Sequence, residues 1–180
     1  MHNRLIIVGA NAYSKVIVDT VFRQHIFEIV GIAADDYNID TVYIDYYYSP
    51  LKIIAKIGDI ENIKNIADFF VVAYEDNKLR ATIYKKYNKI LPSATIIDPS
   101  AVISNNSYIG EGSVILANSI IATDVKIGID VIIKPLSYID HNSIIGNHCH
   151  IAAGTIIGNN VEIKSYRNTF PGDNISTTIH

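Results

Sequence analysis

Isoleucine recurs every six residues, at Ile97, Ile103, Ile109, Ile115, Ile121, Ile127, Ile133, Ile139, Ile145, Ile151, Ile157 and Ile163, without a miss. A helix repeats at about 3.6 residues and a strand at about 2, so neither produces this spacing. A fixed six-residue period is the mark of a parallel β-helix built from hexapeptides. Four residues after each isoleucine stands a small side chain: Ala101, Ser107, Ser113, Ser119, Val125, Val131, Ser137, Ser143, Cys149, Thr155 and Val161. Each hexapeptide thus carries one large apolar and one small residue at fixed offsets.

Three short strands, each followed by a tight turn, close one triangular coil. Twelve hexapeptides make about four coils. A coil cannot bury its apolar side alone, so each depends on the coils above and below. Gly110, Gly128, Gly146 and Gly158, with Asp98 and Asp140, directly follow the register isoleucines. They are read as the corner residues, where the backbone needs unusual angles. The register stops at Ile163, so the stretch after it is read as an irregular tail.

The first ninety or so residues lack the period and read differently. Arg4–Val8 is a short apolar run, read as a buried parallel strand. Gly9–Ser14 is the turn after it, and Lys15–Gln24 has the apolar spacing of an amphipathic helix. Phe27–Ala33 and Asp68–Ala73 read as further strands, and tyrosine-rich Tyr37–Ser49 as a loop. Glu61–Ile66 reads as a short helix, and Asn77–Tyr87 as a longer one with Asn77 as its N-cap. Alternating strand and helix implies an α/β unit with a parallel sheet. The reading is therefore two domains. Residues 1–91 form an α/β unit and 92–180 a parallel β-helix with its irregular tail; Pro92 and Pro99 stiffen the link.

Composition narrows the partners. Net charge is −3, pI about 6.0, and no Lys/Arg stripe forms, which argues against nucleic acid or an anionic membrane. No apolar run approaches the roughly 18 residues that span a bilayer. One cysteine, Cys149, allows no internal disulfide and fits a reducing, cytoplasmic setting. Its register position makes it a packing residue. The turn after the first strand lacks the G-x-G-x-x-G fingerprint: Asn11 and Ser14 stand where later glycines would be, so an ordinary dinucleotide site is not expected.

Three histidines lie close in sequence: His141, His148 and His150. A neutral imidazole can act as a general base near neutral pH, and the bland alternative is a solvated surface histidine. A three-histidine zinc site, as in metal-dependent β-helix hydratases, would require zinc at stoichiometric occupancy. No distant fourth group supports one, so no metal is expected.

These residues resemble the sialic acid O-acetyltransferase type of hexapeptide-repeat sugar acyltransferases, which includes the N-acetyltransferases of nucleotide-linked amino sugars. Four stretches carry the resemblance. Arg4–Val18 is similar to the family's strand, Gly-Ala-x-Gly-His-Gly turn and helix, and Val30–Asp36 to its VGFLDD segment. Val72–Asn77 with Arg80 is similar to AIGDN..R. Ile139–Gly146 with His150–Gly154 is similar to the active-site stretch V-D/E-H-D/E-C-x-I-G…H-I-A-P-G.

The resemblance implies that residues 1–91 are a Rossmann-like, sugar-nucleotide-binding domain and 92–180 a left-handed parallel β-helix, in a homotrimer that transfers acetyl from acetyl-CoA to an amino group or hydroxyl of a nucleotide-linked sugar, with no metal. It makes His141 the general base, with Asn142 where an orienting acid is usual and Asp140 beside it. It places His150, Gly9, Asn11, Ala12, Tyr13, Asp35, Asp36 and Asn77 at the sugar nucleotide, and Gly158 and Asn159 at the thioester. The chain departs from the family pattern at Ala12, Tyr13, Ser14 and Glu75 and in the early end of its register. These departures leave a second reading: a trimeric sugar-nucleotide-binding or scaffold protein whose catalysis has lapsed. A shortened coenzyme A groove implies acetyl-CoA binding of about millimolar order. Ile120, Ile132, Ile144 and Ile156, twelve apart, are expected to share one packing face.

Overall fold

The computed structural model describes residues 3–45 and 50–178. The N-terminal unit runs β1 (Asn3–Val8), α1 (Ala12–Gln24), β2 (Phe27–Ala33), β3 (Val42–Ile44), β4 (Leu51–Ala55), α2 (Ile60–Ile63), β5 (Phe69–Val72) and α3 (Asn77–Tyr87). Its sheet has the order β3-β4-β2-β1-β5 and is parallel apart from β3. The first helix begins three residues before the expected Lys15, because Asn11 caps it. The Asn11 Oδ1 accepts the N–H groups of Tyr13 and Ser14, and Ser14 Oγ accepts the Asn11 N–H. The second cap is Asp76, not Asn77: Asp76 Oδ1 accepts the Leu79 N–H at 2.7 Å. The stretch read as a loop contains β3, while its residues 46–49 lie outside the described part. The strand β4 hides its alternation behind Lys52.

From Ile96 the chain coils into a prism with three parallel faces. The first face stacks Ile96–Ile97, Val114–Ile115, Ile132–Ile133 and His150–Ile151. The second stacks Val102–Ile103, Ile120–Ile121, Tyr138–Ile139, Ile156–Ile157 and Asn174–Ile175. The third stacks Tyr108–Ile109, Lys126–Ile127, Ile144–Ile145 and Glu162–Ile163. The second residue of each pair points inward, and nine consecutive register isoleucines from Ile115 to Ile163 form one buried column with Ile175.

The coil therefore continues past Ile163. Thr169 occupies the next register position and Ile175 the one after it. Thr169 is buried and its hydroxyl accepts the Ala152 N–H at 2.7 Å, so a hydroxyl replaces the isoleucine by bonding to the coil below. Asn168 bridges to His150, and Asn174–Ile175 pairs with Ile156–Ile157. The stretch read as an irregular tail is the start of a fifth coil.

The corners also differ from expectation. Left-handed backbone occurs at Gly112, Asn118, Asp124, Asp130, Leu136, Asn142, His148, Gly154, Asn160, Tyr166 and Gly172, three residues after each register position from Ile109 to Thr169. The glycines that directly follow isoleucine serve close approach instead. A Cβ on Gly110 would lie 2.4 Å from Gly128 O, and one on Gly146 would lie 2.4 Å from the Ser165 N. The small-residue position does more than save space. Ser113, Ser137 and Ser143 donate to carbonyls of the next coil at 2.8–3.0 Å, and Cys149 Sγ faces Lys164 O at 3.1 Å.

The two units share a core. The outward residues of the first face, Ile96, Val114 and Ile132, are buried against Tyr13, Ile17, Val18 and Val21 of α1. Ile132 thus differs from Ile120, Ile144 and Ile156, which are about two-fifths exposed. The four do not share a face: a step of twelve residues is two-thirds of a coil, so it changes face each time.

Arg80 fastens the units. It is fully buried on α3, its Nη2 donates to the carbonyls of His148 and Cys149, and its Nε lies 3.3 Å from Asp130 Oδ2. Asp130 also meets His148 Nδ1 at 2.7 Å. Burial outweighs both partners and lifts the Asp130 carboxyl above its ordinary range. Removing one member strands buried charge, at about 3–5 kcal/mol. Arg80→Met is expected to lower unfolding stability by about 3 kcal/mol or more in urea, whereas a loss under 1 kcal/mol would show that the network is dispensable.

Candidate functional site

His141 sits on the corner between the second and third faces. Asp140 Oδ1 accepts the His141 N–H at 2.7 Å and the Tyr138 hydroxyl at 2.9 Å. These bonds, the backbone one foremost, hold the Asp140 carboxyl below its ordinary range. Asp140 therefore fixes the backbone of the corner and not the imidazole. The ring is paired by Asn142, whose side-chain amide nitrogen lies 3.1 Å from His141 Nδ1. The two orientations of that amide differ in consequence. If its nitrogen donates to Nδ1, the neutral ring carries its proton on Nε2; if its oxygen accepts from Nδ1–H, Nε2 keeps a lone pair for a proton.

The next coil stacks on this corner. His141 O accepts the Asn160 N–H at 3.1 Å, and the exposed Asn159 stands eighteen residues above His141. Gly158 O accepts the Ser143 hydroxyl at 2.8 Å, and the Gly158 N–H donates to Ile175 O at 2.8 Å. The fifth coil thus continues the wall above Asn159.

His150 lies elsewhere, on the first face and toward the N-terminal unit. It lines a cleft of about 400 Å³ with Glu75, Lys134, Pro135, Ala152 and Thr169 among others. Its Nε2 is buried and has no hydrogen-bond partner among the described residues. Burial, helped by Lys134, lowers its pKa to about 4. Lys134 pairs with Glu75 and rests 4.3 Å from the centre of the Tyr13 ring. Tyr13 is buried, its hydroxyl is also without a partner, and burial raises its pKa. His148 has a different position again: buried at the opposite corner beside Asp130, between the rings of Tyr84 and Tyr166. The three histidines do not converge within one chain.

The remaining expected residues divide. Gly9 has φ +121°, and a Cβ there would lie 2.8 Å from the Tyr74 ring, so the turn needs glycine for packing. Asn11 is engaged as the cap, and its Nδ2 donates to Ala73 O at 2.6 Å. Ala12, Asp35 and Asp36 are exposed, near the carboxyl ends of β1 and β2, where open α/β sheets bind ligands. Asp35 Oδ1 accepts the Ile57 N–H at 2.9 Å. Asn77 departs from its expected place at the nucleotide. It is buried, accepts from Arg80 and donates to Arg167 O and to Asn168, so it ties α3 to the fifth coil. Sequence reasoning missed Lys134. Its one signal is a lysine directly after a register isoleucine on the face that α1 covers.

Comparison with known proteins places this geometry. The PglD N-terminal domain family matches residues 4–87, and the bacterial transferase hexapeptide family matches residues 124–159. Its N-terminal unit thus matches a PglD N-terminal domain and its coil a bacterial transferase hexapeptide domain. A sequence search of curated proteins gave no match. Among solved structures, the chain resembles a histidine-to-asparagine variant of perosamine N-acetyltransferase from Caulobacter crescentus, in complex with CoA and GDP-perosamine. That match has TM-score 0.79 and 16% identity, over 97% of this chain and 89% of that one. The acetyltransferase domain of PglB from Neisseria gonorrhoeae matches with TM-score 0.76 and 18% identity, over 99% and 94%. WeeI from Acinetobacter baumannii matches with TM-score 0.77 and 19% identity, over 93% and 78%. At these identities the likeness is one of fold.

The depressed His150 pKa has a measurable sign. Below its ordinary value of 6.5 the unfolded chain takes up a proton that the folded chain refuses until about pH 4. Stability should therefore fall as pH drops from about 6.5 toward 4. His150→Asn is expected to flatten that slope in denaturant titrations at successive pH values. An unchanged slope would show that His150 is not held neutral.

Proposed function

We propose that the protein transfers the acetyl group of acetyl-CoA to an amino group, or a hydroxyl, of a nucleotide-activated sugar. The observation that carries this reading is the open corner where His141, ring-paired by Asn142, lies one coil below Asn159. With the Asn142 amide turned so that its oxygen accepts from Nδ1–H, His141 Nε2 would take the proton from the sugar amine or hydroxyl as its N or O attacks the thioester carbonyl. The new C–N or C–O bond forms as the C–S bond breaks, and coenzyme A leaves as its thiol with that proton. The backbone N–H of Asn159, which no described residue engages, would donate to the developing oxyanion. The pantetheine arm would run up the same corner along the fifth coil. The lapsed-binder alternative rested in part on a register ending at Ile163; Thr169 and Ile175 carry that register further, which favours the catalytic reading.

The nucleotide would lie at the carboxyl ends of β1 and β2, and the sugar would approach His150. His141 and His150 occupy an edge and the opposite face of the prism, so the reaction centre calls for two chains. A homotrimer supplies this, and the second face carries the apolar surface for it: Val102, Ile120 and Ile156 are 41–61% exposed.

Two measurements test this reading. Thiol release from acetyl-CoA with nucleotide-linked amino sugars should require His141. The His141→Ala variant is expected to lose about 10²–10⁴ in turnover while still binding acetyl-CoA; equal rates would make His141 a surface histidine. Sedimentation should give a trimer in which Ile120→Arg weakens assembly, and a stable dilute monomer of the parent would overturn it.

A further inference from the structure

We propose that Lys134 and Glu75 form a hydrogen-bonding clamp for the hydroxyl groups of the acceptor sugar, in the cleft between the two units. The inference rests on the acetyltransferase reading above and adds residues that it does not use. Glu75 comes from the segment between β5 and α3, and Lys134 from a corner of the β-helix, so the pair spans the junction. Both line the cleft of about 400 Å³, a volume within the range of small-molecule sites.

Lys134 is held, not free. Its ammonium pairs with the Glu75 carboxylate and lies over the Tyr13 ring, which leaves the side chain 19% exposed. An exposed surface pair contributes little to stability, and its geometry wanders. Here an aromatic ring beneath the cation fixes one member and so aims the other.

The chemistry selects the ligand. The two charges cancel, so the cleft gains no net attraction for an ion: a phosphate meets Glu75 and an ammonium meets Lys134. What remains is a group with three N–H donors beside a group with acceptor lone pairs. Neighbouring hydroxyls of a sugar, each both donor and acceptor, match that pair. Pro135 and Ala152 supply an apolar wall for the C–H face of the ring. His150, on the same wall, has an unpartnered buried Nε2, and Tyr13, beneath Lys134, an unpartnered buried hydroxyl. Buried polar atoms without partners are costly, and a ligand hydroxyl relieves that cost.

Titration calorimetry with UDP, GDP and UDP- and GDP-linked hexoses tests the clamp. Lys134→Met and Glu75→Gln are expected to bind the nucleotide-linked hexose about ten- to hundredfold more weakly, the range for losing a hydrogen bond to a charged group, and the bare diphosphates as the parent does. Lys134→Arg keeps donors and should retain most of the affinity. Equal hexose binding by Lys134→Met and parent would overturn the clamp, as would an equal loss for the bare diphosphates, which would make Lys134 a phosphate contact. If the parent binds none of these compounds, the clamp and the acetyltransferase reading fall together. If the parent binds and acetylates and Lys134→Met matches it, the clamp alone falls. Unchanged thermal midpoints exclude misfolding as the cause of a loss.

Discussion

Each coil turns three isoleucines inward against one another, and only the coils directly above and below close over that layer. Strands of two residues make too few backbone bonds to hold an isolated turn of chain, so lateral neighbours contribute little. Complete burial of one isoleucine contributes about 1.5–3 kcal/mol, and each coil brings three. That vertical dependence sets everything else. Corners must repeat every six residues, the residue after isoleucine must let the next coil pass, and the small position must reach the next carbonyl. Ser113, Ser137 and Ser143 meet the last demand with a hydroxyl. The first face meets a further one: its outward Ile96, Val114 and Ile132 lie against α1, so the α/β unit is seated by the same repeat.

The prism fixes the chemistry by fixing distance. A residue's place modulo eighteen decides its face, and its place modulo six decides whether it points in, out or into a corner. His141 and Asn159 differ by eighteen and stack; His141 and His150 differ by nine and oppose. The α/β unit then adds what the repeat cannot make: a cleft whose walls come from both units, where Lys134 and Glu75 meet over Tyr13.

Much of this was legible in the residues. The isoleucine period specified the β-helix, and the strand–helix alternation of the first ninety residues specified the α/β unit. The end of the repeat was misread because isoleucine was taken as the only solution to the register position. Thr169 satisfies it with a hydroxyl bonded to Ala152 N. The corners were misread because glycine is needed for two reasons, and at Gly110, Gly128 and Gly146 the reason is contact, not angle. Leu136 and Tyr166 hold left-handed angles that no single-residue preference would assign to them. Asn77 was placed at the ligand by resemblance, although only the fold shows it joined to Arg167 and Asn168. The pairing of Lys134 with Glu75 spans fifty-nine positions and leaves no local trace.

The fifth coil is the more weakly packed end of the described stack, and this gives the molecule a direction. Thr169 contributes less apolar burial than an isoleucine, and no third strand follows Asn174–Ile175 among the described residues. The opposite end is anchored by α1, where Arg23 Nε donates to the buried Asp98 at 3.0 Å. A stack of this kind unzips from its weaker terminus, one layer at a time. The first layers to open would be those beside Gly158 and Asn159. A load or a protease at the C-terminus would therefore loosen the layer beside the His141 corner first, and would release Asn77 of α3 from Arg167 and Asn168 before the rest of the α/β unit.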